Sequence, residues 1–146
     1  MKRAIVKNAV VLFFMIGLIF TSTQCKKDKT DEIPYVYVNF YINPTSTQYL
    51  DLNNIGGYVY VTGGVRGIII YHRSVDEFLA YERNCPYQPS NDCALVEVDN
   101  SGIMTVDSCC GSKFLLTDGS VSNGPATRSL KTYQTSYDGT TLHVFN

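Results

Sequence analysis

The stretch VDSCCGSKFLLTDGSVSNGPATRSL, residues 106–130, carries the most informative pattern in the chain. Two adjacent cysteines, Cys109 and Cys110, precede Gly111, and the tripeptide Gly-Pro-Ala follows at residues 124–126. Glycine and proline in these places indicate turns. Paired cysteines beside a turn are compatible with redox chemistry, with a metal site or with structural disulfide bonds, and the rest of the chain bears on that choice.

Charge and length restrict the function classes. The chain has 146 residues, with 12 Lys and Arg against 13 Asp and Glu, so its formal net charge is −1. A nucleic-acid-binding protein normally carries a basic patch or an excess of positive charge, so no nucleic-acid partner is expected. The length indicates a single folded domain.

The first residues have the features of an export signal. Lys2 and Arg3 precede an unbroken apolar run at residues 9–20, which is too short to span a bilayer and has the length of a signal-peptide core. Cys25 follows where the chain becomes hydrophilic, which resembles the lipobox of bacterial lipoproteins; an ordinary secretory signal or an uncleaved anchor is the alternative. The resemblance implies a signal peptide at residues 1–24, a charged tether at 25–34 and a palmitate-type lipid anchor at Cys25.

Export affects how the remaining cysteines are interpreted, because thiols outside the cytosol usually pair. Four remain in the folded part, namely Cys85, Cys93, Cys109 and Cys110. They allow three pairings, of which the bridge between adjacent cysteines is a strained ring, so two stay open. The spacing lacks the Cys-x-x-Cys of redox-active dithiols and the C-x₂₋₄-C of most zinc sites. Structural disulfides are therefore expected, and no metal.

Residues 35–146 are predicted to form one all-β domain, an antiparallel sandwich or barrel. Short runs of β-branched and aromatic residues are separated by glycine pairs and turn sequences. The turn sequences at residues 100–102 and 138–139 predict β-hairpins. The segment TQYLDL, residues 47–52, is interpreted as a further short strand.

One short helix is predicted at residues 74–81, SVDEFLAY, before the first cysteine-containing loop. Ser74 and Glu77 have the spacing of a capping box. Asp76, Glu77 and Glu82 are then expected to form a solvated helix face. His72 and His143 are expected in strands, at an edge or facing solvent, without a nucleophile motif nearby.

Two loops, residues 84–93 (NCPYQPSNDC) and 107–114 (DSCCGSKF), resemble the cluster-binding loops of Rieske iron–sulfur domains. In that family Cys-x-His comes from the first loop and Cys-x-x-His-Gly from the second. The Gly-Ser-x-Phe, Asp-Gly and Gly-Pro-Ala run after the second loop is also similar. The resemblance covers most of the chain from residue 56 onward and implies a Rieske-like β fold.

The resemblance assigns four positions to the family's cluster ligands, and only one residue type is retained. Cys85 occupies the first cysteine position and Tyr87 the first histidine position. Asp107 occupies the second cysteine position and Cys110 the second histidine position. A Rieske cluster needs two thiolates and two imidazoles, so we expect no functional [2Fe–2S] cluster here. A cluster with unconventional ligands in an electron-transfer protein is the alternative.

The resemblance also implies a disulfide pattern. In the cytochrome-complex branch of the family an additional cysteine in each loop forms a bridge that clamps the loops, and these positions fall on Cys93 and Cys109. Cys85 and Cys110 are then expected to bridge as well. The alternative pairing is Cys85–Cys109 with Cys93–Cys110.

These observations together predict a lipid-anchored domain of a bacterial cell envelope, on the periplasmic or outer-membrane surface side. It is expected to be a non-catalytic binding or structural module, with no cofactor. Its loop tip could dock a protein partner, and the membrane is contacted through the anchor at Cys25.

Overall fold

The computed structural model describes residues 32–146, and the predicted signal peptide and Cys25 lie outside this range. Within the range all regular pairing is antiparallel, and no helix is long and apolar enough to cross a membrane. The strands are β1 (Asn39–Ile42), β2 (Tyr58–Val61), β3 (Ile68–Ser74), β4 (Glu77–Glu82), β5 (Val96–Val98), β6 (Met104–Asp107), β7 (Lys113–Leu115), β8 (Val121–Asn123), β9 (Thr132–Tyr137) and β10 (Leu142–Phe145).

The strands form two sheets. The larger sheet has six strands in the order β1-β10-β9-β4-β3-β2, and the smaller has four in the order β5-β6-β7-β8. The larger sheet curls so that side chains of β1 and β10 reach the same core as those of β3 and β4. The predicted all-β antiparallel class is therefore confirmed.

A core lies on each face of the larger sheet. Ile68 and Ile70 of β3 point into the core enclosed by the curled sheet, which we call the barrel core. Ile69 and Tyr71 point to the opposite face and pack on the smaller sheet in a second core, which we call the inter-sheet core. Because successive side chains of a strand alternate between faces, β3 is buried on both sides, which explains its continuous apolar run.

The helix predicted at residues 74–81 is wrong. These residues form the β3–β4 hairpin, in which Ser74 pairs with Glu77 across a two-residue turn. The Ser74 hydroxyl donates a hydrogen bond to Glu77 Oε2 at 3.0 Å, so the capping-box residues do meet, but across a hairpin. Phe78 and Ala80 alternate into the barrel core, and this burial favours a strand over a helix.

The only helical segment of residues 32–146 is a 3₁₀ helix at Thr47–Asn53, where a strand was expected. Leu52 is 1% exposed in the barrel core, and Tyr49 packs against the same core. Residues three apart lie on one face of a 3₁₀ helix. The apolar pair of this segment thus reaches the core without needing a strand partner.

The two predicted hairpins are confirmed. Val98 pairs with Thr105 around the turn at residues 99–104, and Leu142 pairs with Tyr137 around the Asp138-Gly139 turn. Asp138 Oδ1 accepts hydrogen bonds from the backbone of Thr141 at 2.7 Å, which fixes the second turn.

Candidate functional site

Three loops meet at one end of the smaller sheet, and we call this region the tip. The first loop, residues 83–95, follows β4; the second, residues 108–112, follows β6; and the third, residues 124–131, follows β8. The two ends of the first loop lie next to each other, because Asn84 and Leu95 form an isolated antiparallel β-bridge. The tip therefore gathers all four cysteines of the domain.

A disulfide joins the first and second loops. Cys93 and Cys109 are bonded, with Cα atoms 5.6 Å apart and a sequence separation of 16 residues. This confirms the clamp that the Rieske resemblance implied. It also excludes, in this structure, the alternative pairing of Cys85 with Cys109.

Cys85, Asp107 and Cys110 come together beneath this clamp. One sulfur or oxygen atom of each lies within 4.8 Å of those of the other two. The Cys85 and Cys110 Sγ atoms are 3.8 Å apart, and Cys110 Sγ is 3.2 Å from Asp107 Oδ2. Cys85 and Asp107 are fully buried, whereas Cys110 is half-buried. Three of the four positions assigned from the resemblance thus share one small volume.

Asp107 holds the turn that presents Cys110. Its Oδ1 accepts a hydrogen bond from the Cys109 backbone at 2.7 Å, and its backbone carbonyl accepts one from Gly111 at 2.7 Å. Its own N–H donates to the Ser112 carbonyl at 2.9 Å. The second loop is consequently a tight turn closed on both sides of Asp107, with Gly111 at a φ of 77° that favours glycine.

The predicted Cys85–Cys110 bridge is not formed in the structure, where both residues are free thiols. The Cys110 sulfur turns toward Asp107 and also lies 3.0 Å from Ser112 Oγ. Burial raises the pKa of the Cys85 thiol and the Asp107 carboxylate raises it further, while a hydrogen bond from the Tyr87 backbone opposes them. Cys85 is therefore a neutral thiol at neutral pH.

Tyr87 and the two histidines do not join this group in the way the Rieske ligands would. The Tyr87 side chain is half-buried against the inter-sheet core. His72 lies in β3 and stacks on Phe78 at 4.4 Å between ring centroids, with 8% of its surface exposed. It was expected at an edge or surface, and instead it is buried against Phe78 of the neighbouring strand β4. His143 in β10 is partly exposed, with Nε2 2.8 Å from Asn39 Oδ1.

The Gly-Pro-Ala run is explained by close packing of the third loop on the second. Ala126 donates its backbone N–H to Ser112 Oγ at 3.1 Å. Gly124 has a φ of 104°, and a Cβ placed there would lie 2.4 Å from Ser112 Cα. The third loop also reaches the first, because Arg128 Nη2 donates to the Pro86 carbonyl at 3.1 Å. All three loops are thereby fixed against one another.

Gly124→Ala is expected to lower the free energy of unfolding by about 2–3 kcal/mol, because the added methyl group meets backbone atoms and the φ is unfavourable. Chemical denaturation measures this change. Gly139→Ala is the matched control, since Gly139 has a φ of 91° but nothing within 4 Å of its Cβ position. Equal losses in the two variants would show that the third loop does not brace the second.

Glu82 was expected on a solvated helix face, and this expectation is wrong. It is fully buried at the end of β4. Its carboxylate accepts hydrogen bonds from four donors: the backbone N–H groups of Val65 at 2.7 Å, Arg66 at 2.9 Å and Asn84 at 2.9 Å, and the Tyr133 hydroxyl at 2.7 Å. The pKa of Tyr133 is raised by burial and by this carboxylate. Glu82 therefore fixes the point where the first loop begins.

Comparison with known proteins identifies the fold. No protein-family model matches the sequence, and no curated protein matches it. Among solved structures, the plasma membrane Rieske protein PetC3 from the cyanobacterium Synechocystis PCC 6803 matches with a TM-score of 0.51 and 22% identity, covering 75% of this chain and 98% of that chain. Together with the positions of the two cysteine loops, this similarity shows that the chain has a Rieske-like fold.

Proposed function

We propose that this chain is an exported, lipid-anchored Rieske-like module of a bacterial cell envelope that does not hold a [2Fe–2S] cluster. It acts as a non-catalytic binding or structural module, and the tip is the surface that it presents. The observation that carries the proposal is the replacement of three of the four family ligand types at positions that the fold brings to the tip.

The residues present do not fit a Rieske cluster. Such a cluster needs two imidazoles on one of its irons. His72 in β3 stacks on Phe78, a residue of the barrel core. His143 in β10 stacks on Tyr41 at 4.1 Å between ring centroids. Neither histidine lies in a tip loop, so the histidine pair cannot be supplied from elsewhere without remodelling both strands.

The spacing at the tip supports the same conclusion. Cys85 and Cys110 occupy positions that would bind opposite irons in the family, yet their Sγ atoms are 3.8 Å apart. At that separation two sulfur atoms are close to contact. Two irons and two bridging sulfides would not fit between them while the Cys93–Cys109 clamp holds the loops.

The tip is suited to presenting a fixed surface to a protein partner. The disulfide joins the first and second loops, Arg128 joins the third to the first, and Arg66 Nη2 donates to the Asn91 carbonyl at 2.7 Å from outside the tip. A preorganised surface loses little conformational entropy on binding. With three of the four family ligand types replaced, the property of the tip that favours a role is its rigidity.

Membrane attachment is assigned to Cys25. Full-length chain expressed in a bacterium should be found in the membrane fraction with an acylated N-terminal cysteine. Cys25→Ser should carry no acyl mass, because the thiol that would be acylated is absent. Thr30→Ala in the tether is the control and should keep the acyl mass. A wild-type chain without any acyl mass, or an N-terminal acyl mass that persists in Cys25→Ser, would contradict the lipid anchor at Cys25.

The cluster-free proposal is tested by iron and acid-labile sulfide analysis of the full chain, purified without oxygen from cells that make iron–sulfur proteins. A Rieske protein produced in the same cells is the positive control. We expect iron and sulfide well below one per chain and no visible absorption bands. Two irons and two sulfides per chain, with visible bands, would instead establish the electron-transfer alternative with unconventional ligands.

A further inference from the structure

We propose that Cys85, Asp107 and Cys110 form a site for a single zinc ion, with water as the fourth ligand. This inference goes beyond the proposed function, because a mononuclear ion is neither a Rieske cluster nor required for a binding module. It rests on the geometry of the three donor atoms and on their surroundings.

The separations of the donor atoms are close to those around one tetrahedral ion, and all three atoms lie within 4.8 Å of one another. Two thiolate sulfurs bound to one zinc at about 2.3 Å lie about 3.8 Å apart in tetrahedral geometry, and a sulfur and a carboxylate oxygen lie about 3.6 Å apart. The observed Cys85–Cys110 separation is 3.8 Å, and the Cys110–Asp107 separation is 3.2 Å. A single ion can therefore be accommodated by small side-chain rotations, at the same spacing that leaves no room for two irons.

The donor types favour zinc. Two sulfur ligands with one carboxylate form a mixed soft and hard set, and zinc accepts both types without a geometric preference of its own. Calcium and magnesium require oxygen ligands, so the two cysteines disfavour them. The two thiolates alone would balance the charge of a divalent ion, and the Asp107 carboxylate would leave a net charge of −1 on the site.

Neighbouring groups already orient the proposed ligands. Asp107 Oδ1 accepts the Cys109 N–H, which leaves Oδ2 directed toward Cys110. The backbone nitrogen of Ser112 lies 3.4 Å from Cys110 Sγ, and Ser112 Oγ lies 3.0 Å from the same sulfur atom. Hydrogen bonds of this kind hold metal ligands in position. Cys110, the half-buried member, gives the ion a path from solvent.

A zinc ion at this site would join the first loop to the second at a point distinct from the disulfide. Cys85 belongs to the first loop, whereas Asp107 and Cys110 flank the turn of the second. Oxidation of Cys85 and Cys110 to a disulfide would consume two of the three ligands, so the bridge and the bound ion exclude each other.

The test is zinc titration of the full chain after removal of metal, with binding measured by calorimetry under non-reducing conditions. We expect one zinc per chain and an upward shift of the melting temperature, because an ion that binds only the folded state stabilises that state. Losing a group that only orients a metal ligand typically weakens binding about 10- to 100-fold. Cys85→Ser, Cys110→Ser and Asp107→Asn each remove a proposed ligand and should weaken binding by at least that factor. Asp118→Asn, an exposed turn aspartate, should bind like the wild type.

Circular dichroism of each variant confirms that it is folded before its binding is measured. Absence of zinc binding by the folded wild type, or unchanged binding in folded Cys85→Ser and Asp107→Asn, would overturn the inference. Isolation of the exported chain with Cys85 and Cys110 fully oxidised would also overturn it. These results would leave the cluster-free proposal intact, since only iron and sulfide incorporation contradicts that.

Discussion

Replacing Glu82 with alanine is expected to lower the free energy of unfolding by about 3–5 kcal/mol, a large part of the stability of a domain this size. The carboxylate is fully buried and accepts hydrogen bonds from the backbone of Val65, Arg66 and Asn84 and from the Tyr133 hydroxyl. Its removal leaves these donors unpaired in the interior, and each unpaired group carries a desolvation cost. Denaturant unfolding followed by circular dichroism measures the loss.

Two further variants show whether this loss comes from the buried network. Tyr133→Phe removes a single donor and should cost about 1–2 kcal/mol. Glu97→Ala removes an exposed glutamate that pairs with Arg83 at 3.3 Å, so it should cost less than about 1 kcal/mol. If Glu82→Ala were as stable as Glu97→Ala, the carboxylate would not organise the start of the first loop.

Replacing both Cys93 and Cys109 with serine is expected to lower the free energy of unfolding by about 2–4 kcal/mol and the melting temperature by roughly 10 °C. The bond closes a loop of 16 residues, and its removal gives the unfolded chain more conformational freedom. Thermal unfolding of wild type and double variant at the same pH measures the difference.

A reducing agent provides the control for this experiment and also tests the second cysteine pair. It should lower the melting temperature of the wild type to that of the double variant. It should leave the double variant unchanged, because Cys85 and Cys110 are free thiols in the structure. A further decrease in the double variant would reveal a Cys85–Cys110 disulfide, and insensitivity of the wild type would contradict the Cys93–Cys109 bond.

The sequence predicted the antiparallel β class and both marked hairpins because those features are local. Asp138 and Gly139 form a turn through contacts within a few residues of each other. The Cys93–Cys109 disulfide could be anticipated only through the Rieske resemblance, since cysteine counting left two pairings open. The Gly-Pro-Ala run was recognised as a marker, but its close approach to Ser112 depends on how the third loop packs.

The failed predictions share a physical cause, which is tertiary burial overriding local propensity. Ser74 and Glu77 satisfy the helix capping pattern, yet Phe78 and Ala80 are needed in the barrel core as part of a strand. Glu82 was assigned to solvent because its charge is the only local signal. Its burial depends on donors from the Gly63–Gly67 connection and from β9, which are distant in sequence.

The candidate site was only partly predictable from the sequence. The resemblance placed Cys85, Asp107 and Cys110 at related positions, and the structure brings their donor atoms together. It could not show that Cys110 turns toward Asp107 and Ser112, because those contacts depend on the geometry of the second loop. The expected second disulfide was inferred without that information.

Native mass spectrometry of the exported full chain, purified without oxygen or reductant, tests the central claim most directly. The account predicts a mass lower by the two hydrogens of one disulfide, relative to the reduced chain with the same N-terminal processing, and no iron or sulfide. Bound zinc would add the mass of one ion. An added mass equal to two irons and two sulfides, lost on denaturation, would contradict the account and identify a cluster-bearing Rieske protein.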